Sequence, residues 1–147
     1  MNIEKVSSQF QLLSTTVVEL QATNSFLFYD ERKSGKKEID VSYSIKQVSS
    51  IEDENNRIGV LDLIITISSE IEDRKYNFKM VIRGFFEAPL DMDENTFENM
   101  LRVNGCAALY STARGIICSI SSQMFAVGNV VLPMVNFIHF HEIEQQS

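Results

Sequence analysis

Residues 38–48 read Glu-Ile-Asp-Val-Ser-Tyr-Ser-Ile-Lys-Gln-Val. Ile39, Val41, Tyr43 and Ile45 fall on one side of an extended chain, and Asp40, Ser42, Ser44 and Lys46 on the other. Period-two alternation of this kind specifies a strand with one dry face and one wet face, as in an antiparallel sheet. Three more stretches follow the same rule. Thr15 to Ala22 is rich in β-branched residues, with Thr16, Val18, Leu20 and Ala22 assigned to one face. Ile58 to Ser68 points Leu61, Leu63, Ile65 and Ile67 inward. Tyr76 to Glu87 points Tyr76, Phe78, Met80, Ile82 and Phe86 inward, and Gly84 inside it marks a bulge or a close backbone approach. Glu72-Asp73-Arg74 reads as a hairpin turn between the last two strands, and Ser49 to Arg57 as a charged loop. Asn24 to Lys37 is a connection that begins apolar and ends in a solvated basic turn.

After Pro89 the period changes. Asp91, Asp93 and Glu94 crowd a helix start, where carboxylates meet exposed N–H groups. Phe97, Met100 and Leu101 then give a short helix over about Asn95 to Val103, which Gly105 kinks or restarts. A long helix is expected from Cys106 to Phe125, with an apolar stripe of Leu109, Ala113, Ile116, Ile117, Ile120 and Met124. Ser111, Gly115, Cys118 and Ser122 form a second, small-residue face. It would let another helix approach closely, either a second subunit or an element of the same chain. Gly128-Asn129 stops the helix. Val130 to Phe140 reads as extended, and Glu142 to Ser147 as a frayed end. Strands followed by helices make one α+β domain over residues 1–147: a four-stranded antiparallel sheet with a long helix packed on one face.

Composition narrows the function. The 147 residues carry a net charge of −7, which repels nucleic acid and anionic membranes. No stretch reaches the ~20 apolar residues of a membrane span, and the start lacks the pattern of a secretory signal, so a cytoplasmic protein is expected. There Cys106 and Cys118 would be reduced; on one helix they lie ~18 Å apart, beyond disulfide reach. Ten Phe and six Met supply apolar area of adaptable shape, with no Trp. Chemistry is scarce. His139 and His141 would share one face of a strand, but two imidazoles do not make a zinc site. Neither cysteine sits in a setting that activates a thiol, and no phosphate loop or nucleophile elbow is present. No catalysis, cofactor or metal is therefore expected.

One segment carries a family signal. Leu132-Pro133-Met134-Val135-Asn136-Phe137, following the long helix, resembles the Leu-Pro-Pro-Val-Asn-Phe loop of the SecB chaperones. The helix keeps an aromatic and an arginine of the family's pattern in Tyr110-Ser111-Thr112-Ala113-Arg114, followed by Ile117-Cys118-Ser119. It lacks the family's Pro and Tyr, and Gly115 replaces the usual acidic residue. The resemblance covers about Asn104 to Phe137 in sequence and most of the chain in element order. It implies a holdase that binds unfolded or pre-export polypeptides in apolar grooves between the sheet and the Gly128 to Phe137 segment. Leu132, Pro133, Val135 and Phe137 would line or shape the groove, with Phe125 and Met124 beside it. It also implies a dimer or tetramer, with the small-residue face as a compatible contact. The SecA motor is a family partner, but no Cys/His tail for engaging it follows Phe137, and Glu19 and Gln21 do not match the family's motor-contact residues. A chaperone dedicated to one client, such as an antitoxin, is the narrower alternative. An adaptor that has lost client binding is the rival.

Overall fold

The computed structural model describes residues 8–25, 36–71, 73–125 and 128–147. Its strands are β1 (Gln11–Asn24), β2 (Lys36–Ile51), β3 (Asn56–Ile71) and β4 (Arg74–Pro89). They form one antiparallel sheet in the order β1-β4-β3-β2, so β1 and β2 are its edges. The helices are α1 (Glu94–Met100), α2 (Cys106–Met124) and α3 (Phe137–Gln146). A π-helical turn, Leu101–Gly105, joins α1 to α2. The expected α+β plan, a four-stranded antiparallel sheet followed by a long helix on one face, is the plan observed.

The register explains the core. Ile39 pairs with Ile67, Val41 with Ile65 and Tyr43 with Leu63. Ile67 in turn pairs with Phe78, Ile65 with Met80 and Leu63 with Ile82. Identical alternation in three neighbouring strands puts these side chains on one side, where α1, the π turn and α2 cover them, while Val60, Ile64, Val81 and Phe85 fall on the other. Leu61, Leu63, Ile65, Met80, Ile82, Phe86, Leu109, Ala113 and Ile117 are fully buried there. Each such side chain contributes about 1.5–3 kcal/mol relative to exposure.

Two glycines let the helices come this close. A Cβ on Gly84 would lie 2.6 Å from a Phe86 ring carbon and 2.8 Å from Leu109 Cδ2, and one on Gly59 would lie 2.8 Å from Leu101 Cδ1. Gly84 thus marks a close approach, with no irregularity in its pairing to β3. Asp93 caps α1, its carboxylate accepting from the Thr96 N–H at 2.8 Å and the Thr96 hydroxyl at 2.6 Å. These bonds hold the Asp93 carboxyl below its usual range.

Several expectations are corrected. The alternation assigned to β1 breaks at Val18, where the pairing shifts between Val17 and Glu19. Val17, Leu20 and Ala22 therefore share the core side, while Thr16 lies on the other. A second irregularity sits between Leu12 and Ser14. The expected loop over Ser49 to Arg57 is much shorter. β2 runs on to Ile51, one turn covers Glu52–Glu54, and Asn55 at φ 59° reverses the chain. Asparagine tolerates that left-handed conformation, so a tight turn forms inside a charged run.

The largest correction concerns the C-terminal segment. Residues 137–146 are helical, neither extended nor frayed. Asn136 caps α3, its side-chain oxygen accepting from the N–H groups of Ile138 (3.0 Å) and His139 (3.4 Å). His139 and His141 therefore point to different sides of a helix. The His139 side chain is exposed beside Glu142, while that of His141 is largely buried, with Nε2 at 2.5 Å from the Arg102 carbonyl oxygen. The expected connection from Asn24 to Lys37 lies mostly outside the described residues.

Candidate functional site

Among the described residues, the chain between α2 and α3 pairs with no strand, so its backbone groups must find side chains. α2 supplies them. Tyr110 and Arg114 stand one helical turn apart on the same face. The Tyr110 hydroxyl donates to the Pro133 carbonyl at 2.6 Å, and Arg114 Nε donates to the Leu132 carbonyl at 2.9 Å. Arg114 Nη1 also reaches Met134 Sδ at 3.0 Å. Further along, Ser121 Oγ accepts from the Val130 N–H at 2.8 Å, and Asn129 Nδ2 lies 3.4 Å from Cys118 Sγ. Burial raises the Tyr110 phenol above its ordinary pKa, so it remains a donor at neutral pH. The crossing segment is thus stitched antiparallel along α2. Tyr110 and Arg114, the aromatic and the arginine singled out in the sequence, are the ones that hold this segment.

An extended segment offers its side chains alternately. Val130 and Leu132 turn into the core and are buried, whereas Val131 is 50% and Met134 82% exposed. Between these outward residues and the start of β2 runs an open trough of about 680 Å³. Lys37, Ile39, Arg114, Val131, Leu132, Pro133 and Met134 line it. Of the seven described residues that line it, two are cationic and none is acidic, although the chain as a whole is at −7.

The six nominated groove residues therefore divide. Leu132 and Pro133 line the trough. Phe137 and Phe125 are buried anchors of the chain itself: Phe137 meets Tyr110 edge-on at 5.6 Å, and Phe125 meets Tyr76 at 5.6 Å. Val135 and Met124 pack half-buried against the core. In this conformation the apolar area of Phe125 and Phe137 is already withdrawn from water. Lys37, Ile39, Val131 and Met134 were not singled out by the sequence. The signal for the last two was the alternation of residues 130–134; nothing local to β2 marked the first two.

The small-residue face of α2 points away from the sheet. Ser111, Gly115 and Ser122 are exposed, Cys118 is half-buried, and open space surrounds Gly115. Edge strand β1 leaves more apolar surface uncovered, with Leu12, Leu13, Val17, Val18 and Leu20 all exposed. The opposite side of the sheet has a smaller, more enclosed concavity of about 320 Å³, reaching across all four strands. Its outward side chains include Gln21, Thr23, Glu38, Thr66, Ser68 and Asn77. Charges on that side are matched in place: Lys79 with Glu19 at 3.1 Å, Lys36 with Glu38 at 2.9 Å, and Arg83 with the buried Asp62 through two bonds of 2.7 and 2.9 Å.

Among the described residues, groups suited to catalysis are not assembled around the trough. Cys106 is buried at the start of α2, and burial, with the Glu144 charge as a lesser cause, pushes its thiol up to about 12. A thiol in that state is a packing group. Among the described residues, no group of three or more His, Cys, Asp or Glu side chains converges as a metal site would require.

No protein-family model matches the chain, and no curated protein matches it in sequence. Solved structures do match. One is a SecB-like chaperone of Mycobacterium tuberculosis in complex with a peptide from an antitoxin. It is 12% identical with a TM-score of 0.62, over 90% of this chain and 95% of that one. Another is a Streptococcus agalactiae protein of unknown function, 13% identical with a TM-score of 0.51, over 85% of this chain and 97% of that one. At these identities the likeness is one of architecture: the four-stranded antiparallel sheet followed by a long helix is the SecB-like fold.

Proposed function

We propose that the chain is a SecB-like holdase that binds exposed segments of unfolded polypeptides. The observation that carries this reading is the open, partly apolar trough beside the clamped crossing segment, at the place where the sequence resembles the family's loop. Binding there needs no chemistry. It withdraws apolar area from water at roughly 25 cal/mol per Å², and only clients with exposed apolar stretches can supply that area. A folded protein has few such stretches to offer.

The reading dedicated to a single client is the finer form we favour over export. The M. tuberculosis neighbour was solved with an antitoxin peptide. Glu19, Glu38 and Asp62 on the outer side of this sheet are each paired with a cation, which argues against an acidic platform for the SecA motor. No described helix is long and apolar enough to cross a membrane, and a cytoplasmic holdase accords with that. Light scattering of a chemically denatured client tests the function. Equimolar chain should suppress aggregation, and unchanged scattering at fivefold excess would remove the holdase reading.

We also infer a homo-oligomer. Two surfaces could join copies: the small-residue face of α2 (Ser111, Gly115, Cys118, Ser122) and the exposed edge of β1. β1 is favoured, because it is an edge of the sheet among the described residues and carries five large exposed apolar side chains. Leu20→Arg should therefore lower the mass measured in solution, and Gly115→Arg should leave it unchanged. The reverse result would move the contact to α2, and a monomeric parent chain would end the inference.

A further inference from the structure

Oxidisable sulfur is unequally placed in this chain. Met80 is fully buried, and Met92, Met100 and Met124 pack half-buried against the core. Met134 is the exposed methionine among the described residues, with 82% of its area in water. It lines the trough, at the position where the resembling family loop carries its second proline. Its sulfur is also held in place. Arg114 Nη1 donates to Sδ at 3.0 Å, while Nε of the same guanidinium donates to the Leu132 carbonyl at 2.9 Å. A thioether is a weak acceptor, so it satisfies this N–H poorly. A sulfoxide oxygen in the same place would be a far stronger acceptor for a cationic donor. The thiols compete less well for an oxidant. Cys106 is fully buried, with its thiol pushed up to about 12, and the thiolate is the reactive form. Cys118 is half-buried on α2, where its Sγ accepts from Asn129 Nδ2 at 3.4 Å.

We propose that Met134 is a reversible oxidation site that regulates the trough: a peroxide converts its thioether to the sulfoxide, the new oxygen bonds to Arg114, and client binding falls. This rests on the holdase reading and adds its regulation. A sulfur lone pair attacks one oxygen of hydrogen peroxide, the S–O bond forms and the O–O bond breaks. The proton on the transferred oxygen passes to the departing hydroxide, which leaves as water. Sulfur loses two electrons and the peroxide gains them. The product changes the trough in two ways. A flexible apolar tip becomes a polar one, so an apolar client segment withdraws less area from water there. Arg114 then holds the crossing segment at two strong acceptors, the Leu132 carbonyl and the Met134 sulfoxide, and the segment stiffens. The exposure that admits the peroxide also admits a methionine sulfoxide reductase, which makes the change reversible. A proline at this position, as in the family loop, has no sulfur to oxidise, so the site belongs to this chain's departure from that pattern.

The experiment treats the full chain with hydrogen peroxide, in a Cys118→Ser background that keeps thiol oxidation out of the readout. Peptide mass spectrometry follows each methionine separately. Met134 should gain oxygen about tenfold faster than Met92, Met100 or Met124, and ahead of Met80 by more. The binding probe is fluorescein-labelled, reduced and carboxymethylated α-lactalbumin, which stays unfolded without denaturant. Its anisotropy is read after the peroxide has been removed. Oxidation should weaken binding about fivefold, and methionine sulfoxide reductases of both stereospecificities with dithiothreitol should restore it. Met134→Leu keeps an apolar rim without sulfur, and its binding should be the same before and after peroxide. Met134→Gln, which carries a carbonyl oxygen, should bind weakly with no peroxide at all. Amide exchange over Val131 to Met134 should slow about twofold on oxidation, the mark of the second bond to Arg114. Oxidation of Met134 no faster than that of the half-buried methionines would overturn the site. Unchanged or faster exchange would overturn the bond to Arg114. Oxidised Met134 with unchanged probe binding would overturn the regulation and leave the holdase reading standing. An unoxidised chain that neither binds the probe nor suppresses aggregation of a denatured client would overturn the holdase reading, and the regulation with it.

Discussion

Replacing Phe86 by alanine is expected to destabilise the fold by about 3–5 kcal/mol, the range for truncating a large buried aromatic. Phe86 is fully buried where the sheet meets the start of α2. Its ring stacks on Phe10 at 5.1 Å and lies within contact distance of the positions a Cβ would take on Gly84 and Gly105. The surrounding backbone has therefore been stripped of side chains to accommodate this ring. With glycines on two sides, few neighbouring side chains can relax into the void, so most of the cavity cost adds to the lost transfer energy. Urea unfolding followed by circular dichroism measures the effect. As an internal control, Met134→Ala should fall within about 0.5 kcal/mol of the parent, as expected of an exposed position. A Phe86→Ala loss below about 1.5 kcal/mol would mean that α2 is not seated on the sheet in the way described.

Removing the clamp on the crossing segment comes next in size. Tyr110→Phe deletes one hydrogen bond to a carbonyl, an effect of about 1 kcal/mol, and Arg114→Ala deletes a charge-assisted one, about 1.5–3 kcal/mol. The two donors hold adjacent carbonyls, so the double variant should show coupling instead of a simple sum. A loss of about 3 kcal/mol is expected. Its local signature is more diagnostic than its size. Amide exchange over Val130 to Val135 should accelerate more than exchange in β3, because the segment has no ladder partner to fall back on. Trough binding should weaken in parallel, since Val131, Pro133 and Met134 would lose their fixed height over Ile39. Unchanged exchange in that segment would show that burial of Val130 and Leu132 alone holds it in place.

The sheet was legible because its signal is local. Clean alternation in residues 38–48 and 58–68 needs only a chain and a half-dry environment, and the register of β2 and β3 follows it from Glu38 to Ile45, up to the irregularity before Gln47. The shift at Val18 was not legible, because both Val17 and Val18 are apolar and either could face the core. α3 was misread for a physical reason. Ile138-His139-Phe140-His141 alternates like a strand, yet Phe137, Phe140 and His141 also stand at i, i+3 and i+4, and packing on Tyr43 and Tyr110 decided for the helix. Asn136, a good N-cap, was the available clue.

The candidate site was half legible. The segment was located by its resemblance to a family loop, and Leu132 and Pro133 do line the trough. Within an extended apolar run, however, composition does not distinguish anchors from lining. Phe137 and Phe125 are the largest side chains nominated, and for that reason the core took them. The opposite wall comes from Lys37 and Ile39, nearly a hundred residues away in sequence, and only the fold brings them to it.

The central claim is that an unfolded chain occupies the trough between β2 and the crossing segment. Amide hydrogen exchange of the chain, with and without a saturating denatured client, tests it most directly. The account predicts added protection at Val131 to Met134 and at Lys37 to Val41, with little change on the outer side around Asn77 and Lys79. Protection confined to that outer side, or none in the trough while the client is demonstrably bound, would contradict it.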